Sequence, residues 1–318
     1  MYLMPNTVTV TVPATTANLG PGFDCIGAAL TLYNTLRFSN LKNTSTETLK
    51  ITVQGTEAAA VQTDESNLAY QAFIRVYQHL GQTPPPVQIE IDLGIPLARG
   101  LGSSATAIVG GILGANTLAG NPLTQGDILQ LAIEMEGHPD NVVPALLGNC
   151  QLSVSRGEHG TGWEICPIPW HSDLVPVLAI PDFELSTAEA RKVLPQTYSR
   201  GDAIFNTAHL GLLIRGLETR NPDWLRVALQ DKIHQPYRKS LIKGFEAVRS
   251  AALQAGAFEL VISGAGPTLL ALTDGISASR VAEAITTAWK QEGVNPEVKV
   301  LQLDTQGATT INIITLAK

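Results

Sequence analysis

Four short stretches of this 318-residue chain carry residue types that could do chemistry together. The first is PLARGLGSSATA, residues 96–107. Gly100 and Gly102 allow a tight backbone turn, and the N–H groups that open a following helix attract an anion. The Ser103 and Ser104 hydroxyls can then reach phosphate oxygens or a magnesium ion. An ordinary strand-to-helix turn has the same composition, so this stretch alone does not decide. No G-K-S or G-K-T occurs, which removes a Walker A loop. Gly100 to Ala105 satisfies G-x-G-x-x-A, but Gly94, Pro96 and Arg99 intervene after the strand. No strand ending in Asp or Glu follows about 20 residues later, so a dinucleotide fold is disfavoured.

The second stretch, VPATTANLGPGFD, sets Asn18 and Asp24 around two glycines and a proline, a composition shared by substrate lips and surface loops. The third, ISGAGPTLLAL, joins two short apolar strands through a loop more elaborate than a hairpin turn. In the fourth, EGHPDNVVPALLGN, Glu136, His138, Asp140 and Asn141 lie within six positions. The Glu136 carboxylate suits Mg²⁺, and Asp140 and Asn141 can orient a hydroxyl. Pro139 prevents a regular helix through the cluster, and a capped turn that starts the next helix is the alternative.

Such stretches need elements that hold them together. Residues 7–12, TVTVTV, alternate with period two and predict a strand that ends at Pro13. An irregular loop returns to a second strand at 33–38. A helix is predicted over 66–80, a half-wet strand over 87–93, and helices over 104–118, 124–136 and 141–147. A cluster of Trp and Pro between residues 163 and 176 puts a domain boundary near residue 160, giving domains 1–160 and 161–318. The second part reads as strand 175–181, helices 187–193, 205–219, 222–229 and 241–254, and strand 259–263. Strand 268–272, helix 277–291 and strand 297–303 complete a mixed strand and helix pattern.

Composition narrows the function classes. Hydrophobic residues at 44% and charged residues at 15% argue for compact packing. With 21 Lys and Arg against 28 Asp and Glu, the net charge of −7 argues against binding a nucleic-acid backbone, though a small anion can be held locally. Cys25, Cys150 and Cys166 are far apart and lack C-x-x-C spacing, which excludes a disulfide framework and a thiolate zinc site and suits a reducing cytoplasm. Residues 1–11 lack the basic and apolar regions of a secretory signal. The uncharged stretch 105–120 is short of the ~20 residues of a membrane span and reads as a buried helix, so no membrane association is expected.

Taken together, the four stretches resemble the family of galactokinase, homoserine kinase, mevalonate kinase and phosphomevalonate kinase, the GHMP kinases. The signature P-x-x-x-G-L-G-S-S-A is met by Pro96, Gly100, Leu101, Gly102, Ser103, Ser104 and Ala105. Within the family, P-A-T-x-A-N-L-G-x-G-F-D over residues 13–24, the E-G-H-P-D-N run and the S-G-A-G-P-T loop are similar to homoserine kinases. The resemblance spans nearly the whole chain, from residue 10 to at least residue 272. It implies an α+β, two-domain GHMP kinase fold, with an N-terminal ribosomal protein S5 domain 2-like half and a ferredoxin-like C-terminal half. ATP would lie between them, its phosphates on Pro96, Leu97, Ala98, Arg99, Gly100, Leu101, Gly102, Ser103, Ser104 and Ala105. Magnesium would sit on Ser104 and Glu136, and adenine near Asn67.

The same resemblance implies transfer of the ATP γ-phosphate to the hydroxyl of L-homoserine, giving O-phospho-L-homoserine for threonine biosynthesis. Thr187 and Arg191 in S-T-A-E-A-R-K-V-L-P, and Arg238 in Q-P-Y-R, match substrate positions. Two guanidinium forks can grip one carboxylate; a solvated helix face is the alternative for both arginines. Asp24 and Asp140 are the candidates for the ammonium group, with Asn18 and His138 nearby. Asp140 matches a base of mevalonate kinase, but Asn18 stands where that enzyme has lysine. Direct in-line attack by a hydroxyl held by Asn141, with Arg191 stabilising the γ-phosphate, is therefore expected. A homodimer is expected from the family. Two alternatives stay open: the same fold acting on mevalonate or a sugar, and a non-catalytic amino-acid sensor, against which Ser104, Glu136 and Asn141 speak.

Overall fold

The computed structural model describes residues 6–41, 47–157 and 162–313. Residues 1–5, part of the stretch read for a secretory signal, and the boundary near residue 160 lie outside the described residues. Strands β1 (Thr7–Asn18) and β2 (Gly22–Asn40) form one long antiparallel hairpin. Strand β3 (Leu49–Gln54) lies parallel to β4 (Val87–Asp92), joined through helix α1 (Leu68–His79). Helices α2 (Ser103–Leu118), α3 (Gln125–Glu136) and α4 (Pro139–Leu147) follow. Strands β5 (Cys150–Ser155) and β6 (Trp163–Ile168) then extend the first sheet from β2.

Strand β7 (Leu174–Ile180) opens a second sheet. Helices α5 (Thr187–Lys192), α6 (Arg200–Thr219), α7 (Pro222–Ala228), α8 (Gln235–Arg238) and α9 (Phe245–Gln254) come next. Strands β8 (Glu259–Ile262) and β9 (Leu269–Asp274), helix α10 (Ala278–Gln291) and strand β10 (Glu297–Val300) close that sheet in the order β10-β7-β9-β8. The last strand, β11 (Thr309–Ile313), returns to pair with β1, so the first sheet draws on both ends of the chain.

Burial alternates along the second sheet. Leu178 and Ile180 of β7, with Leu270 and Leu272 of β9, face a core shared with Leu19, Ile26 and Leu101 of the first half. Their neighbours Val177, Ala179, Leu269 and Ala271 pack on Val248, Val281, Ile285 and Trp289 of α9 and α10. A strand covered on both faces reads as an unbroken apolar run, which is why VPVLAI and LLAL do not alternate. The inner core makes the two halves one packed unit around the cleft. In the first half, Phe73, Val76 and Tyr77 of α1 pack with Ile108 and Ile112 of α2 over Val10, Phe38 and Ile89 of the sheet.

The hairpin differs from the sequence reading. β1 does not stop at Pro13, because a register shift between Pro13 and Ala14 lets the ladder absorb a residue with no N–H to donate. β2 starts at Gly22 instead of residue 33, and only a tight turn between Asn18 and Gly22 remains of the loop. Strands β3, β6 and β11 were not expected; α6 begins at Arg200 instead of 205, and α9 at Phe245 instead of 241. Beyond Val300, Leu303 makes only an isolated bridge to Leu30, so β10 is shorter than expected.

Candidate active site

Three of the four stretches meet at the start of α2. Gly102 caps that helix with a left-handed φ of 67° and no side-chain cap, which leaves the N–H groups of Ser103, Ser104 and Ala105 facing out of the first turn. The turn before it is left-handed at Ala98 (φ 50°) and Gly100 (φ 72°). The two glycines are required by the protein itself. A Cβ on Gly102 would strike the Thr15 hydroxyl of β1, and one on Gly100 the Ser263 carbonyl. Ser263 also donates its hydroxyl to the Gly100 carbonyl at 2.8 Å, and Thr15 N–H donates to the Leu101 carbonyl at 3.1 Å. The hairpin and the loop after β8 therefore clamp the phosphate-type loop from two sides.

The fourth stretch sits where α3 meets α4. Gly137 ends α3 in a left-handed turn, Pro139 takes the first position of α4, and the helix begins there instead of at Asn141. Glu136 thereby closes one helix while Asp140 and Asn141 lie in the first turn of the next, where the N-terminal dipole favours negative charge. Ser104 donates its hydroxyl to Glu136 Oε1 at 2.7 Å, linking this junction to the start of α2. Burial pushes the Glu136 carboxyl above the usual range, against the lowering effect of Ser104. Asp140, 3% exposed, receives His138 Nδ1 at 2.5 Å and Asn141 Nδ2 at 3.2 Å. Burial alone would lower the His138 pKa, but its bond to Asp140 and that charge outweigh burial and raise it. Asn141 Oδ1 accepts from Thr15 Oγ1 at 2.8 Å, so its amide is already oriented by two neighbours.

The opposite wall comes from the second half and from the hairpin. Arg191, near the end of α5, meets Asp24 through two bonds of 2.8 and 3.1 Å. Arg238 is 2% exposed, which overturns a solvated helix face for it. Its Nε donates to the Ala190 carbonyl at 3.2 Å, and its Nη1 to the Gly264 carbonyl at 3.1 Å. Asn18 Nδ2 reaches the same Gly264 carbonyl at 2.8 Å, while Asn18 Oδ1 accepts the Asp24 N–H at 3.0 Å. Both guanidinium groups lie over the Phe23 ring, with Arg191 at 5.6 Å and Arg238 at 5.1 Å from the ring centroid. His234, fully buried, stacks on Phe23 at 5.2 Å and holds the Gly20 carbonyl at 2.9 Å and Arg238 Nη1 at 3.4 Å. Burial pushes its pKa down, with the Arg238 charge adding to that; a neutral ring thus donates to Gly20 and accepts from Arg238.

These walls enclose a polar cavity of about 260 Å³ lined by Asn18, Asp24, Glu136, His138, Asp140, Asn141, Thr187, Arg191 and Arg238. A second, largely apolar cavity of about 330 Å³ adjoins it through Ala98, Ser103 and Ser104 and is walled by Leu36, Val61, Leu68, Ile91, Leu93 and Leu97. Asn67 lines this cavity, yet its side chain is spent on capping α1 through Ala69 and Tyr70 and on the Gln62 carbonyl. The structure does not bring every residue of the loop to the cavities. Leu101 and Ala105 point into the core and Pro96 lines a separate cavity; Arg99 does line the polar cavity, with its guanidinium engaged by the Leu97 and Pro181 carbonyls. Sequence reasoning missed Thr15, Phe23, His234 and Ser263; Phe23 and His234 each stand beside a residue that was singled out, Asp24 and the Q-P-Y-R run.

Among the described residues, a divalent cation has two candidate homes. Asp24, His138 and Asp140 offer atoms within 4.8 Å of one another, but His138 is bonded to Asp140 and Asp24 to Arg191. Ser104 and Glu136 supply hard oxygens beside the anion-attracting start of α2, and a cation there offsets the burial of the Glu136 carboxylate. The second pair fits magnesium better.

The family model for the GHMP kinase N-terminal domain matches residues 67–149, and the model for the GHMP kinase C-terminal domain matches residues 213–291. Among curated proteins, the homoserine kinase of Nostoc punctiforme is 66% identical over 301 residues, covering 95% of this chain and 97% of its own. That of Trichodesmium erythraeum is 64% identical over 303 residues, covering 95% and 98%. Among solved structures, the homoserine kinase of Cytophaga hutchinsonii superposes with a TM-score of 0.87 at 30% identity, covering 98% of this chain and 99% of that one. Its mixed helix and sheet architecture is the two-domain GHMP kinase fold, and the chain belongs to the homoserine kinase family of the GHMP kinases.

Proposed function

We propose that this protein transfers the γ-phosphate of ATP to the side-chain hydroxyl of L-homoserine, giving O-phospho-L-homoserine for threonine biosynthesis. The observation that carries this reading is the gathering of two guanidinium groups, Arg191 and Arg238, and the Asp24 carboxylate in the cavity that also receives the start of α2. An amino acid with a terminal hydroxyl matches that set. Mevalonate carries a carboxylate but no ammonium group, and a sugar carries neither.

In this reading the apolar cavity takes adenine, walled on one side by the helix that Asn67 caps. The N–H groups of Ser103, Ser104 and Ala105 bind phosphate oxygens. Arg191, Arg238 and Thr187 hold the substrate carboxylate, and Asp24 holds its ammonium group with Asn18 fixing Asp24 in place. Asn141, itself oriented by Thr15 and Asp140, holds the acceptor hydroxyl. The hydroxyl oxygen bonds to the γ-phosphorus as the bridging P–O bond to ADP breaks, and the hydroxyl proton leaves late, to an oxygen of the transferred phosphoryl group. Asp140 already accepts two bonds, so it orients His138 and Asn141 and sets the local charge, with no strong base required. Glu136 and Ser104 would hold Mg²⁺, which supplies neutralisation of phosphate charge.

The division into an ATP-binding part, 1–160, and a part carrying Arg191 and Arg238, 161–318, belongs to this proposal, as do a homodimer and a cytoplasmic location. The free thiols of Cys25, Cys150 and Cys166 suit a reducing compartment. No described helix is long and apolar enough to cross a membrane. Light scattering of the purified protein tests the dimer. ADP release with homoserine, mevalonate and galactose offered side by side tests the reaction: turnover with homoserine alone supports it, and preference for either other acceptor contradicts it.

A further inference from the structure

Two groups that the proposed substrate needs separately are paired with each other. Asp24 and Arg191 form a two-pronged ion pair, Oδ1 to Nη2 at 2.8 Å and Oδ2 to Nη1 at 3.1 Å. The hairpin presents Asp24 for this contact in a left-handed conformation, φ 57°, anchored by Asn18. Both side chains keep about a third of their surface in solvent, 34% for Asp24 and 38% for Arg191. A pair so exposed is screened and changes an equilibrium by less than about fivefold, so a ligand can displace it.

What surrounds the pair decides which ligand can. A carboxylate oxygen of Asp24 lies within 4.8 Å of one on buried Asp140. Arg191 lies against the Phe23 ring and lines the same cavity as Arg238, a buried cation that feels the Arg191 charge and whose bonds among the described residues go to neutral acceptors. A ligand with only a negative charge takes Arg191 and leaves Asp24 facing Asp140. One with only a positive charge takes Asp24 and leaves Arg191 facing Arg238. A zwitterion replaces one ion pair by two and leaves no like charges facing each other.

We propose that the Asp24–Arg191 pair is a charge filter: ligands enter by exchanging ion partners with it, so the pocket accepts molecules with both charges and discriminates against those with one. This rests on the substrate reading above and adds a consequence of the opposite sign to simple loss of contact. Removing the charge of Asp24 should weaken the zwitterion yet strengthen a lone anion, because Arg191 is set free and the repelling carboxylate is gone.

Asp24→Asn suits the test, since Asn tolerates left-handed backbone and keeps the N–H that Asn18 accepts. Titration calorimetry of wild type and variant with L-homoserine and 4-hydroxybutyrate is the measurement. The expected result is homoserine weakened by about tenfold or more and 4-hydroxybutyrate tightened by about two- to fivefold. Arg191→Leu supplies the reciprocal arm, in which 3-aminopropan-1-ol should bind more tightly than to wild type. If neither variant tightens its singly charged ligand, the filter is overturned. If wild type fails to bind homoserine, the substrate reading falls, whereas a tightened 4-hydroxybutyrate in Asp24→Asn still supports the filter.

Discussion

Replacing Arg238 by leucine removes a guanidinium that the structure buries to 2% exposure and aims at the polar cavity. Truncating one partner of a desolvated charge pair costs about 2–5 kcal/mol, roughly 30-fold to several-thousand-fold in affinity, whereas an exposed pair costs less than ~1 kcal/mol. Burial places Arg238 in the first class. If Arg238 grips the substrate carboxylate equally in ground and transition states, the homoserine KM should rise steeply while the ATP KM stays near wild type. Stability should also fall. The Ala190 and Gly264 carbonyls and His234 Nδ1 each lose a donor, a loss of about 2–4 kcal/mol in all, or a drop of several degrees in Tm. Arg238→Lys keeps the charge without the fork and should fall between the two in KM. Steady-state kinetics at saturating ATP, with a thermal melt of each variant, decide the matter. A homoserine KM for Arg238→Leu within about threefold of wild type, under ~0.7 kcal/mol, would refute the assignment of Arg238 to the carboxylate.

Glu136→Gln should bind nucleotide but lose most turnover, because an amide is a poorer magnesium ligand; wild-type turnover would remove Glu136 from the metal site. The same variant should melt no lower than wild type at pH 7. Burial raises the pKa of the Glu136 carboxyl in the fold, so between its ordinary value of 4.5 and the raised one the native state binds more protons than the unfolded one, and this group lowers stability as pH rises through its folded pKa. For the same reason the magnesium requirement of wild type should steepen as pH falls from 7 through the raised pKa; titrating Mg²⁺ at several pH values, with Glu136→Gln as the flat control, checks it. His234→Phe keeps the stack on Phe23 but loses the bonds to Gly20 and Arg238, so the homoserine KM should rise more than the ATP KM; equal changes in both would mean a general loss of structure.

The chemistry-bearing loops were legible because their signals are local. Gly102 at a helix start, Pro139 at the next one and Glu136 beside a glycine carry their conformations in their own residue types. The strands that escaped detection are short and lie at the periphery of the sheet: β3 and β11 occupy its edges, and β6 contains Pro167 and pairs only with β5. Their residues bury too little to leave a period-two pattern. The hairpin was read as a loop because Pro13 and three glycines look like breakers, while the register shift that accommodates them is a property of the partner strand. Burial of Arg238 was illegible for a related reason. It depends on carbonyls at Ala190 and Gly264 and on the Phe23 ring, which sequence distance separates and only the packed cleft unites.

The central claim is that one cleft joins a phosphate-binding helix start to a pocket for a hydroxylated amino acid. Phosphorus NMR of a reaction containing the protein, ATP, Mg²⁺ and L-homoserine tests it most directly. The account predicts one equivalent of a phosphomonoester resonance, that of O-phospho-L-homoserine, for each ATP converted to ADP. ATP consumption that yields only inorganic phosphate, or no consumption until mevalonate or a sugar is added, would contradict it.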